Sequence, residues 1–100
     1  MEYEIQKSNG QIVFIFKEKE IFDNFNEKPY SEVFMELVKE GKDVVLDFKD
    51  VLVVDSLFIG SVIVLKKSLE LKKKKMTMQG LNEHLKDLFS KLNLTEFFAK

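Results

Sequence analysis

The run IVFIF, from Ile12 to Phe16, is apolar at every position and consists of β-branched and aromatic residues. Side chains of a strand alternate between faces, so such a run has no side suited to water. It predicts an interior strand covered on both faces. Tyr3 to Gln6 alternate in character before it, and Ser8-Asn9-Gly10 supplies turn residues between the two runs. Together they predict a β-hairpin.

Beyond the hairpin the periodicity changes. From Tyr30 the apolar positions Val33, Phe34, Leu37 and Val38 draw one stripe down a helix, with Ser31 placed as its N-cap and Gly41 as its stop. VVLDF (Val44 to Phe48) reads as a central strand, and VLVV (Val51 to Val54) is a second β-branched run after Lys49-Asp50. A second helix is expected from about Leu57 to Lys72. MTMQG (Met76 to Gly80) then reads as a strand parallel to the earlier one, reached by a right-handed crossover. Asn82 is placed to cap a third helix with Leu85, Leu88, Phe89 and Leu92 on its buried stripe, and Leu94 to Phe98 forms an apolar tail that must dock. Lys17 to Pro29 has no clean period and is left unassigned. The expected order is ββαβαβα: one α/β domain spanning residues 1–100, a small mixed β-sheet with helices packed on it.

Composition narrows the function. Sixteen lysines, without any arginine, stand against seventeen acidic residues, giving a formal charge of −1. This provides no overall basic field for nucleic acid, and no guanidinium fork for phosphate or guanine. The absence of cysteine excludes disulfides, thiolate metal ligands and a cysteine nucleophile. The start, MEYEIQKSNG, is acidic and polar where a signal peptide is basic and then apolar, and no apolar run approaches the ~20 residues of a membrane span. A cytoplasmic protein with no direct membrane insertion is expected.

No residue set announces catalysis. His84, the only histidine, falls in the first turn of the third helix without a nucleophile at a recognisable spacing, so a solvated helix residue is favoured over a base. Asp47, Asp50 and Asp55 surround a strand-loop-helix junction, where aspartates serve turns and caps more often than metals. Lys72 to Lys75 fit the end of the second helix, where cations offset the macrodipole. Gly60, inside that helix, is read as permitting close packing on the sheet. The expectation is a non-enzyme with no cofactor and no metal.

The stretch VVLDFKDVLVVDSLFIGSVIVL is more specific. It resembles the STAS domain of bacterial anti-sigma factor antagonists, in which a Val-Val-Leu-Asp-Leu strand leads to an Asp-Ser-Ser-Gly-Leu-Gly motif that opens a helix. The resemblance runs from about Asp43 to Phe98. Asp47 takes the place of the strand aspartate, Asp55 and Ser56 match the first two motif residues, and Gly60 matches the last glycine. Gly80-Leu81 matches a later junction, Leu92-Asn93-Leu94 stands where Thr-Gly-Leu is common, and Phe97-Phe98 matches the apolar end. Lys17 to Asp23 lies where the family commonly carries a Gly-Glu-Leu-Asp turn.

The resemblance implies a protein-binding regulator of transcription. Its partner would be an anti-sigma factor with a serine-kinase fold, or a related regulatory protein. It also implies a docking surface made of Asp55, Ser56, Leu57, Phe58, Gly60 and Ser61. In the family the second serine of the motif is phosphorylated by the partner, and the added negative charge prevents binding. Here that position is Leu57, followed by Phe58 in place of glycine, so the usual phospho-switch is expected to be absent. Ser56 is the remaining candidate acceptor, although it also suits a helix cap. Phe58 has two readings: part of an exposed apolar pair with Leu57 that serves a partner or a homodimer, or an anchor on the face shared with Val62 and Leu65. Two other roles for the same fold are an accessory subunit of a transporter or lipid-transport complex, and a nucleotide or small-molecule sensor.

Overall fold

The computed structural model describes residues 1–99. Strands β1 (Tyr3–Lys7) and β2 (Gln11–Phe16) form the expected antiparallel hairpin, with Ile5 opposite Phe14. Strand β3 (Glu20–Ile21) and a 3-10 turn (Asp23–Phe25) follow, then helix α1 (Tyr30–Lys39). Strand β4 (Asp43–Asp47), strand β5 (Val53–Val54) and helix α2 (Ser56–Leu71) form the middle of the chain. Strand β6 (Met76–Gln79), helix α3 (Glu83–Lys91) and a last 3-10 turn (Thr95–Phe97) complete it.

The main sheet runs β1-β2-β4-β6, antiparallel at the hairpin and parallel thereafter, with Val44 beside both Ile12 and Met76. This is the mixed sheet read from the sequence. Two details differ. Of Val51 to Val54 only the last two residues form a strand, and they pair with Glu20–Ile21 in a separate two-stranded sheet. The unassigned segment therefore supplies a strand and a turn, both too short to show a period.

The inner face of the sheet carries Ile12, Phe14, Phe16, Val44, Leu46, Phe48, Met76 and Met78, all in one core cluster with the apolar stripes of the three helices. Val13, Ile15, Val45 and Thr77 on the other face lie outside that cluster. IVFIF is thus interior between β1 and β4, but helices cover it on one face only. Ile15 is nonetheless buried, lying in register between Glu4 and Asp47, while Val13 is half-buried. The centre of the core is aromatic, and Phe58 meets Phe16 and Tyr30 edge-on at centroid distances of 5.3 Å each.

Capping also departs in part from expectation. Asn82 accepts from the Leu85 amide at 2.8 Å as foreseen. The N-cap position of α1, however, is Pro29, which leaves Ser31 inside the helix. The Tyr30 amide instead donates to Asp23 Oδ1 at 3.0 Å, so a distant aspartate replaces the local cap. Gly41, at φ +67°, closes the helix. On α3, Leu85 and Phe89 are buried and Leu88 half-buried, whereas Leu92 is exposed beyond the helix end. The C-terminal tail docks on β6, where the Ala99 amide donates to the Met78 carbonyl at 2.7 Å.

Candidate docking site at the start of the second helix

The site is assembled by two aspartates. Asp55 is the N-cap of α2: Oδ1 accepts from the Phe58 amide at 2.9 Å and Oδ2 from the Asn24 amide at 3.0 Å. One carboxylate thus satisfies the helix end and fixes the 3-10 turn beside it. Asp23, itself buried, accepts from the Tyr30 amide and from Ser61 Oγ at 3.1 Å, while Oδ1 also receives Asn26 Nδ2 at 2.9 Å. This carboxylate joins the turn, the start of α1 and the middle of α2.

These bonds leave a groove of about 510 Å³ between the turn and α2, lined among others by Asn26, Ser31, Leu57, Gly60 and Val64. Leu57 is 54% exposed on its rim, and Phe25 of the adjoining turn is 81% exposed. Large apolar side chains held in water around a groove are the usual mark of a surface that meets another molecule.

The residues expected at the site separate accordingly. Leu57, Gly60 and Ser61 come together in the lining of the groove, Ser61 as a buried brace, while Asp55 lies outside that lining and is tied to it through the Asn24 amide. Phe58 is 0% exposed, so the reading that places it on a partner or dimer surface is corrected: its ring is the anchor of α2 in the aromatic core. Its neighbour projects outward because successive helix residues turn through ~100°, which sends adjacent side chains to different faces. Ser56 is not the cap. It is the first residue of α2, exposed and without a side-chain hydrogen bond among the described residues. Gly60 is exposed, and a Cβ there would meet nothing within 4 Å, so close packing on the sheet is not its reason.

Asp47 serves the fold. Its Oδ1 accepts the Lys49 amide at 3.0 Å and its Oδ2 accepts Gln79 Nε2 at 3.1 Å, which ties β4 to β6 just before Gly80. Gly80, at φ +72°, is required: a Cβ would come within 2.8 Å of the Lys49 amide nitrogen. Asp23, Asn24 and Asn26 are the site residues that sequence reasoning missed. The one available signal was the Asp, Asn and Pro content of a stretch whose partners are remote in sequence.

The family comparison agrees with this architecture. The model of the STAS domain matches residues 3–100, and the chain belongs to that family. Among solved structures it is similar to the anti-sigma factor antagonist SpoIIAA in its unphosphorylated form, with 12% identity, a TM-score of 0.78, and 99% of this chain and 88% of that one covered. The phosphorylated form of SpoIIAA, the Bacillus cell fate determinant, gives 13%, 0.79, 98% and 89%. A candidate anti-sigma factor antagonist from Thermotoga maritima gives 17%, 0.74, 98% and 86%. At these identities the likeness is one of fold. No curated protein sequence matches. No described helix is long and apolar enough to cross a membrane.

Proposed function

We propose that this STAS domain is a cytoplasmic protein-binding regulator of the anti-sigma factor antagonist type. It docks on its partner through the rim of the groove at the start of α2 and acts by binding rather than by catalysis. The observation that carries this reading is Leu57. It stands 54% exposed beside a capped, braced helix start, at the position where the family resemblance puts the phosphorylated serine. The partner is an anti-sigma factor or a related regulatory protein.

Leucine has no hydroxyl, so the complex is not switched at the usual place. Ser56 is the serine at this helix start that a kinase reaches, being exposed and free of the capping duty that Asp55 performs. Leu57 is already about half covered, so burying the rest of it in a partner stabilises a complex by ~1 kcal/mol. The test is an affinity pull-down of the tagged protein from its own cells, with partners and phosphosites read by mass spectrometry, beside a Leu57→Asp variant. A regulatory protein retained by the native chain and lost with the variant supports the reading; retention by both overturns it.

A further inference from the structure

The formal charge of −1 hides a separation of charge that the topology creates. Strands β2, β4 and β6 run parallel and begin together, with Gln11 beside Asp43 and Val44 beside Met76. The hairpin turn and the loops after α1 and α2 therefore gather at one end of the sheet. Segments 7–11, 39–44 and 71–76 there carry seven lysines and two carboxylates. Lys7 pairs with Glu40 and Lys39 with Glu36, while among the described residues neither Lys42 nor Lys72 to Lys75 has an ion-pair partner. Lys42 and Lys72 donate to the Ser8 and Val38 carbonyls, which are neutral and leave the ammonium charge uncancelled, and Asp43 accepts the Lys75 amide. The opposite end, which holds the groove, is acidic: residues 17–28 and 47–55 carry seven carboxylates and four lysines.

Two features of the basic end exceed what a solvated helix terminus needs. Leu71, the last residue of α2, is 88% exposed beside the lysine run. Lys73 stands at φ +58°, in the left-handed conformation that closes a helix: its amide donates to the Glu70 carbonyl and the Lys74 amide to that of Leu69. Glycine takes this conformation without steric cost, and the chain uses Gly41 at the corresponding place after α1. A lysine after α2 gives up stability to keep a cation there, and a local rule broken in this way marks a functional position.

We propose that this end of the molecule binds the surface of an anionic lipid bilayer, with Leu71 entering the headgroup layer and the lysines of the run set against the lipid anions. The contact is peripheral, made by side chains alone. Exposed Lys67, one turn before Leu71 on α2, lies on the same side of the helix. The exposed leucine favours lipid over nucleic acid, which is met by guanidinium forks and by rings that stack on bases. The three segments of the basic end contain neither arginine nor an aromatic residue. The separation of charge also orients the molecule, since an anionic surface repels the acidic end. Leu57 lies ~20 Å along α2 from Leu71, so the groove is held away from the bilayer and stays open. The inference does not rest on the partner reading.

Co-sedimentation with vesicles reads the contact. The purified chain should pellet with phosphatidylcholine vesicles containing about one third phosphatidylserine, stay in solution with phosphatidylcholine alone, and detach as salt is raised to about 0.5 M. Leu71→Ser, at an exposed position, should weaken binding to the anionic vesicles at least about threefold and leave its salt dependence unchanged. Lys73→Gly removes one cation and relieves the left-handed backbone, so its melting temperature should rise while its vesicle affinity falls about fivefold. No binding to anionic vesicles, or equal binding to neutral ones, overturns the proposal. So does native affinity in both variants, which would leave Leu71 and Lys73 outside the contact. Tighter binding to a single-stranded oligonucleotide than to the vesicles overturns the choice of lipid. These readouts use the purified chain and vesicles, so their failure leaves the proposed partner binding intact.

Discussion

Ser61 Oγ and Asp23 Oδ2 lie 3.1 Å apart although 38 residues separate them in sequence. The contact holds the loop before α1 against α2 and forms one wall of the groove. Both residues are buried; without Asp23 the Tyr30 amide and Asn26 Nδ2 lose their acceptor as well, whereas without Ser61 the carboxylate keeps both of those donors, so the first loss is the larger. Asp23→Ala should cost ~3 kcal/mol and Ser61→Ala ~1 to 2 kcal/mol in urea unfolding, with a coupling of ~0.5 to 1.5 kcal/mol in the double-mutant cycle. Additive losses would show that the two residues act separately.

The helix start gives a sharper contrast. Asp55 accepts from both Phe58 and Asn24, whereas adjacent Ser56 caps nothing. Asp55→Ala should therefore cost ~1 to 2 kcal/mol, and Ser56→Ala should stay within ~0.5 kcal/mol of the native chain. Denaturant midpoints decide between this and a capping Ser56, for which the order would reverse.

Two glycines should respond in opposite directions. Gly60→Ala meets no atom within 4 Å on an exposed helix, so it should stabilise the isolated monomer by ~0.5 to 1 kcal/mol. Gly80→Ala forces a left-handed backbone and a 2.8 Å contact with Lys49, and should destabilise by more than that. Thermal unfolding of the two variants at low concentration measures both.

Tyr30 makes a pH prediction. Its burial, followed by its 2.7 Å hydrogen bond to Glu18, pushes the phenol well above its ordinary value. Below about pH 10 the phenol is protonated in both folded and unfolded chains, so its contribution is constant. Above that, the unfolded chain releases the proton while the folded chain keeps it, and stability falls as pH rises. Tyr30→Phe should lower stability by ~1 kcal/mol at neutral pH and flatten part of the alkaline loss. Equal slopes for the two proteins above pH 10 would contradict the burial argument.

How much of this was legible in the sequence depended on the range of the interactions. The VVLDF strand, the Asn82 cap and the docking tail follow from local patterns, and the structure has them. Ser31 and Ser56 were misplaced as caps because a cap is judged from neighbours, while Asp23 reaches Tyr30 across seven residues and Asp55 outcompetes the serine beside it. Phe58 was ambiguous because an apolar residue in the first turn of a helix can face either way, and the aromatic ring of residues that claims it comes from three other segments. The two faces of IVFIF looked alike, although only the one carrying Phe14 and Phe16 meets helices.

The central claim is that Leu57 belongs to the partner surface. Its most direct test is titration calorimetry of the regulatory partner recovered from the cells against the native chain, Leu57→Asp, and Leu92→Asp as an exposed control beyond α3. The account predicts at least about a hundredfold weaker binding for Leu57→Asp, as for a charge forced into an apolar contact, and unchanged binding for Leu92→Asp. Equal affinity of Leu57→Asp and the native chain would contradict it.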